Sequence, residues 1–300
     1  MPGDAIALVA AVCWAIANLT IARGARSSAD SGAFLSILMT AALSGAVWLA
    51  AGGLGRLAPA AASPVGLGWF VVGGLLSLFF GRVLMYASIH WLGAVRGSSV
   101  KRLGPVFSVV LAVLVLGETL NMTIVVGMFL IFAAFAVLVA ENGAAARDTA
   151  PTPARRNPGL WLGVVSAFAY AAGNIARKWG LEVLPDPTLG VFVGAVAAGM
   201  AYLASALFVA SYRQAVVATF THFNPWMIAT GVLSSAGQVL FFVALDRSTV
   251  TRVTLIVSAE VFITMALSVW LGTNRERLTR PVWLAAALGF AGSIALVAFR

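Results

Sequence analysis

Arg82 stands inside an otherwise apolar run, and Phe79, Arg82, Tyr86 and His90 follow one another at spacings of three, four and four. On a helix those spacings share one face. A cation left there against lipid costs roughly 2.5–3.5 kcal/mol even on a lenient scale. The face is therefore expected to border either a water-filled cavity, where Arg82 can bind a carboxylate, or a helix that supplies an ion-pair partner. Trp14 and Asn18 lie four apart in the first apolar run, and Tyr170 and Asn174 repeat that spacing 156 residues later. Each pair offers an aromatic face and an amide that can donate and accept; the alternative is that each Asn bridges to a neighbouring helix. Gln238 lies one turn from Ser234 and adds a further amide.

Glu260 is the only acidic residue near the middle of an apolar run, ten residues past Val250 and eleven before Leu271. Two readings follow: a proton-coupling group, or a fixed partner for Arg82 or Arg102. The second has the edge, because buried cations need a counter-charge and one acid is at hand. Lys101 and Arg102 sit about one turn inside their run, where they either snorkel to the interface or form a positive vestibule that attracts anions.

Enzyme chemistry finds little to work with. The two histidines, His90 and His222, lie near run ends, and there is no His-x-x-x-His pair, no Cys–His cluster and no Gly-x-Ser-x-Gly elbow. No Gly-x-x-x-x-Gly-Lys-Ser/Thr loop offers to cradle a nucleotide. Cys13 is alone, which excludes an intramolecular disulfide and a cysteine metal site. The expectation is no catalysis, no metal and no cofactor.

The surroundings of these residues say what must position them. Of 300 residues, 61% are hydrophobic and 10% charged, with mean hydropathy +0.98; soluble domains carry about 25% charged residues. Lipid must be the solvent for most of this surface. The 19 basic and 10 acidic residues give +9, which fits basic loops facing anionic lipid rather than a nucleic-acid partner. Residues 1–4 lack the positive start of a signal peptide, so the first run is read as a retained span.

A crossing helix needs about 20 apolar residues. Runs at 5–22, 31–55, 57–81, 119–140, 157–176, 187–212, 214–245 and 281–299 meet or approach that length, and the third is expected to continue through Arg82 to about Trp91. Runs 95–117 and 250–271 carry buried or near-terminal charge. The expected fold is an all-α integral membrane protein of ten transmembrane helices. Their length excludes barrel strands. A polar segment at 142–158 divides the chain into halves, 4–141 and 159–299.

The halves resemble each other: Trp14, Asn18 and Gly24 match Tyr170, Asn174 and Gly180, Trp69 and Gly74 match Trp226 and Gly231, and Val106-Phe107 matches Val261-Phe262, at offsets of 155–157. Five crossings per half reverse the entry of the second copy, so two inverted five-helix repeats around a central cavity are expected, the arrangement of alternating-access carriers. Because the halves are fused, a monomer is expected.

Trp14-Ala15-x-x-Asn18, then Tyr86-Ala87, Gly104-Pro105-Val106-Phe107 and Leu116-Gly117-Glu118-Thr119-Leu120, resemble EamA domains of the drug/metabolite transporter superfamily. The second half keeps Glu260-Val261-Phe262 and Leu271-Gly272 but lacks the proline and carries three extra residues before Glu276. The resemblance covers nearly the whole chain and is most similar to YddG-type exporters of aromatic and other amino acids. It implies a multi-pass protein of a bacterial-type cytoplasmic (inner) membrane with both termini cytoplasmic. The count of basic residues, twelve on odd-numbered loops and flanks against six opposite, points to the reverse orientation.

It also implies a cavity between the first four helices of each half, with the fifth and tenth peripheral. An amino-acid-like small molecule would place its carboxylate at Arg82, its ammonium at Asn18 or Asn174, and its side chain against aromatic walls. Rivals are an organic anion or phosphorylated metabolite, drawn by Arg82, Lys101 and Arg102; a cationic drug, drawn by Glu260 and aromatic faces; and, in a different class, an integral membrane enzyme.

Overall fold

The chain is seen in a computed structural model, and the structure describes residues 2–24, 32–92, 100–145, 153–222, 224–271 and 279–299. The apolar runs fold as α1 (Gly3–Gly24), α2 (Ala33–Ala50), α3 (Pro64–Leu92), α4 (Leu103–Leu116), α5 (Met122–Ala145), α6 (Pro153–Val183), α7 (Pro187–Phe208), α8 (Pro225–Arg247), α9 (Val250–Trp270) and α10 (Arg280–Ala298). Among the described residues, nine of these are long and apolar enough to cross a membrane, and α4 is a shorter apolar helix of 14 residues. At 1.5 Å per residue α4 covers about 21 Å, less than a hydrocarbon core of about 30 Å. Residues 93–99, which the expected run includes, lie outside the described residues, as do 146–152 of the expected linker.

Several boundaries differ from expectation, each for a local reason. Asp186 and Asn224 cap α7 and α8, each followed by a proline that needs no hydrogen-bond acceptor at the first helical position. The expected run at 214–245 is therefore two helices, a short one at Ala210–Thr221 and α8, while Val209 turns extended and ends α7. The third span starts at Pro64, with Leu57–Ala61 a separate turn, and it widens to a π-helix over Leu75–Gly81 before resuming at Arg82. The ninth is broken at Ser258 and Ala259, between Val250–Val257 and Glu260–Trp270. Gly117 ends α4 at φ 67, a left-handed conformation that glycine adopts without Cβ strain.

The halves pack into each other more than within themselves. The principal pairings are α1 with α8 and α9, α2 with α7 and α8, α3 with α6 and α7, α4 with α6 and α9, and α5 with α10. Adding five to each helix number turns the set into itself: α1–α8 becomes α6–α3, α1–α9 becomes α6–α4, and α2–α8 becomes α7–α3. Residue contacts give the directions. In α1–α8, Gly3 meets Ser248, Trp14 meets Ser234 and Thr20 meets Thr230, so the two run antiparallel. In α3–α6, Gly66 meets Leu184, Gly73 meets Arg177 and Leu92 meets Gly159, antiparallel again. In α3–α7, Phe70 meets Gly190 and Gly74 meets Gly194, parallel and close enough for backbone contact. Small residues permit that approach where lipid supplies no hydrophobic drive.

Candidate functional site

A cavity of about 630 Å³ lies between α1, α2, α3, α4, α6, α8 and α9, with Phe135 the contribution of α5. Among the described residues α10, expected to be peripheral, contributes nothing to it, and neither does α7, so the expected wall of the first four helices of each half lacks α7. The reason is the α2–α7 pairing: Ile37 and Phe34 pack on Ala195, Ala198 and Tyr202, which turns α7 into the core behind α2.

The lining residues come from the same end of each wall: the C-terminal half of α1 (Trp14 to Ile21), the start of α2 (Gly32 to Thr40), the second half of α3 (Leu78 to Met85), and the approach to α4 (Lys101 to Ser108). The cavity thus belongs to the end of the bundle opposite Pro2. The other end is closed by polar ties. Asp4 Oδ2 pairs with Arg252 Nη2 at 3.0 Å and Oδ1 accepts from Ser248 at 2.7 Å. Lys178 donates to the carbonyls of Leu245 and Ser248. Glu118 accepts from the backbone N–H groups of Val250 and Thr251 at 2.6 and 2.9 Å, clasping the start of α9 from the end of α4. That contact gives the Leu116-Gly117-Glu118 motif a job: the glycine turns the chain so that the carboxylate meets unpaired helix donors.

Of the expected residues, Trp14, Asn18, Arg82, Tyr170, Asn174, Gln238 and Glu260 line this one cavity. Trp14 Nε1 donates to the carbonyl of Ser234 at 3.1 Å, and its ring lies 5.6 Å from that of Phe241, with Gly237 flush against the indole. Asn18 is exposed to the cavity and reaches Thr264 Oγ1 at 3.4 Å. Its counterpart is differently occupied: Asn174 Oδ1 accepts from Arg177 Nη1 at 3.1 Å, and its Nδ2 faces Ser108 Oγ at 3.5 Å.

Phe79 is placed elsewhere, against Phe80 and Tyr202 with ring centroids 5.1 and 6.5 Å away. The π-helix over Leu75–Gly81 changes the angular step there, so α-helical spacing to Arg82 no longer holds. Tyr86 falls within α3, but its side chain lies outside the described residues.

Arg82 Nη1 donates to Ser36 Oγ at 2.9 Å, and no carboxylate of the described residues pairs with it. Glu260, expected to partner Arg82 or Arg102, instead faces Lys101 Nζ at 3.7 Å. Arg102 turns inward over the ring of Phe135 rather than snorkelling. Arg177, which the sequence reading passed over, is buried with Nη2 on Ser77 Oγ and its guanidinium 5.0 Å from the Phe242 centroid; its spacing of three from Asn174 was the available signal. The described lining thus carries Arg82, Lys101, Arg102 and Arg177 against one acid, Glu260. Such a wall favours a solute that brings negative charge, and its aromatic and apolar remainder favours an apolar body. Among the described residues no group of three or more His, Cys, Asp or Glu side chains is placed to hold a metal ion.

Comparisons with known proteins bear on the family and the fold. The model of the EamA-like transporter family matches residues 1–140 and again 157–298. No curated protein matches the chain. A solved crystal structure, described only as that of a protein, superposes with a TM-score of 0.67 over 98% of this chain and 95% of that one, at 18% identity, a likeness of fold alone.

Proposed function

This chain belongs to the EamA-like transporter family, whose members carry small molecules across membranes, and we propose that it exports small amphipathic metabolites, aromatic and other apolar amino acids foremost. The reading rests on one observation: Arg82 projects into an aromatic-walled cavity with free donors and no carboxylate of the described chain in reach. The solute's carboxylate takes that position, its ammonium lies near Asn18 and Glu260, and its side chain packs on Trp14, Phe241 and Tyr170. The functional analogy is to YddG-type exporters.

The transport cycle is alternating access by two inverted five-helix repeats of ten spans in all. The antiparallel run of α1 against α8 and of α3 against α6, together with the five-helix shift that maps the pairings onto themselves, supports the inversion. The cavity at one end and the polar ties at the other support a cycle with one access side at a time. The setting is a bacterial-type inner membrane, the unit a monomer, and both termini are cytoplasmic, so that the cavity faces outward.

Counterflow in proteoliposomes tests this. Preloaded phenylalanine accelerates uptake of the labelled compound only through a carrier. Arg82→Gln is expected to reduce counterflow of phenylalanine at least tenfold and that of phenylalaninamide far less. Equal loss for both, in a variant that melts normally, reassigns Arg82 to structure; no counterflow by the unsubstituted chain removes the amino-acid reading.

A further inference from the structure

Arg102 has no hydrogen-bond partner and no carboxylate among the described residues, although it lines the same cavity as Arg82. Its Nη1 is buried and unpaired. What holds it is aromatic: the guanidinium lies 6.0 Å from the centroid of Phe135, whose ring stacks at 5.7 Å and 19° on Phe262, itself against Phe290. A ring at that distance acts on the charge of the guanidinium and takes up none of its hydrogen-bond donors, so Nη1 is left without a partner. The neighbouring acid does not reach it, since Glu260 is taken up by Lys101.

A guanidinium offers five donors and binds carboxylate or phosphate through two at once. A single solute carboxylate at Arg82 leaves Arg102 uncompensated in a cavity already rich in cations, and an ammonium brought in with it adds to the repulsion. A second acidic group on the solute relieves both. We propose that Arg102 is a second acid-binding subsite, and that the favoured solutes carry a carboxylate or phosphate monoester on the apolar body besides the carboxylate held at Arg82. The subsite rests on the transport reading above and narrows its substrate class.

The test is titration calorimetry on the full chain in detergent with three probes of one scaffold: phenylalanine, 4-carboxyphenylalanine and phosphotyrosine. At least one of the doubly acidic probes is expected to bind tenfold or more tightly than phenylalanine, and which of the two does so identifies the acid. Arg102→Gln is expected to bring that ratio within about twofold of unity. Arg102→Lys restores it in part, because charge returns without the fork. A ratio near unity in the unsubstituted protein, or a tenfold ratio that survives Arg102→Gln, overturns the subsite. Tight Arg102-dependent binding of a doubly acidic probe without any phenylalanine counterflow keeps the subsite and removes the reading that apolar amino acids lacking a second acid are carried.

Discussion

Lys101 Nζ stands 3.7 Å from Glu260 Oε1, joining the approach to α4 to the break in α9. The acid in the middle of the ninth span is thereby engaged by a half-exposed lysine at the cavity mouth, while the arginines deeper in the wall go without it. The α9 break makes this possible: Ser258 and Ala259 interrupt the helix, and Glu260 opens the next segment, where a carboxylate is favoured by the helix dipole.

Glu260→Gln is therefore expected to cost little stability, under about 1 kcal/mol, because the contact is long at 3.7 Å and its lysine is half exposed. It adds one unit of positive charge to the cavity, so competition by 3-phenylpropionate should strengthen relative to phenylalanine, which carries an ammonium. A large drop in melting temperature would instead show that the pair holds α4 and α9 together.

The Asp4–Arg252 pair is of the opposite kind, with side chains 4% and 10% exposed. Asp4→Asn leaves a buried arginine whose other partners are the carbonyls of Leu296 and Phe299, and a loss of about 3–5 kcal/mol is expected. Adding Arg252→Met should recover part of that loss, since the uncompensated charge is gone. Unfolding curves for the two variants decide, and a double variant no better than the single one refutes the account.

Glu118 holds two backbone donors at the start of α9. Glu118→Gln keeps one acceptor oxygen, and hydrogen exchange at Val250 and Thr251 should accelerate roughly tenfold, about 1.4 kcal/mol of local opening. Unchanged protection at both amides would mean that the clasp contributes nothing to closure.

Gly74 lies in backbone contact with Gly194, whereas nothing approaches Gly68 of the same helix within 4 Å. Gly74→Ala must push α3 and α7 apart and should cost about 1–3 kcal/mol. Gly68→Ala should be neutral or stabilising, because alanine is the better helix former. The contrast between the two melting temperatures is the measurement.

The proposed inversion of the halves requires the turn before α3 and the short helix before α8 to lie on opposite faces of the membrane. In a Cys13→Ala background, Ala62→Cys and Ser211→Cys, both at exposed positions, should label with an impermeant thiol reagent from opposite sides. Labelling of both from one side would end the ten-span inverted arrangement.

The membrane setting, the helices and the duplication were legible in the sequence, because apolar run length and an offset of 155–157 are properties of the chain taken in order. So were Trp14, Asn18, Arg82 and Gln238 as cavity residues, since a polar group inside an apolar run must face something other than lipid. What faces what was decided by packing. The π-turn before Arg82 took Phe79 off its face, and the α2–α7 pairing removed α7 from the wall. Asn174 became a partner of Arg177 while its counterpart Asn18 faces the cavity and reaches only Thr264, although the two occupy matching positions. Glu260 was expected to meet Arg82 or Arg102, and at the break in α9 it meets Lys101 instead. Periodicity assigns a residue to a face of its own helix; the identity of the neighbour depends on side chains hundreds of positions away, which only the tertiary structure brings together.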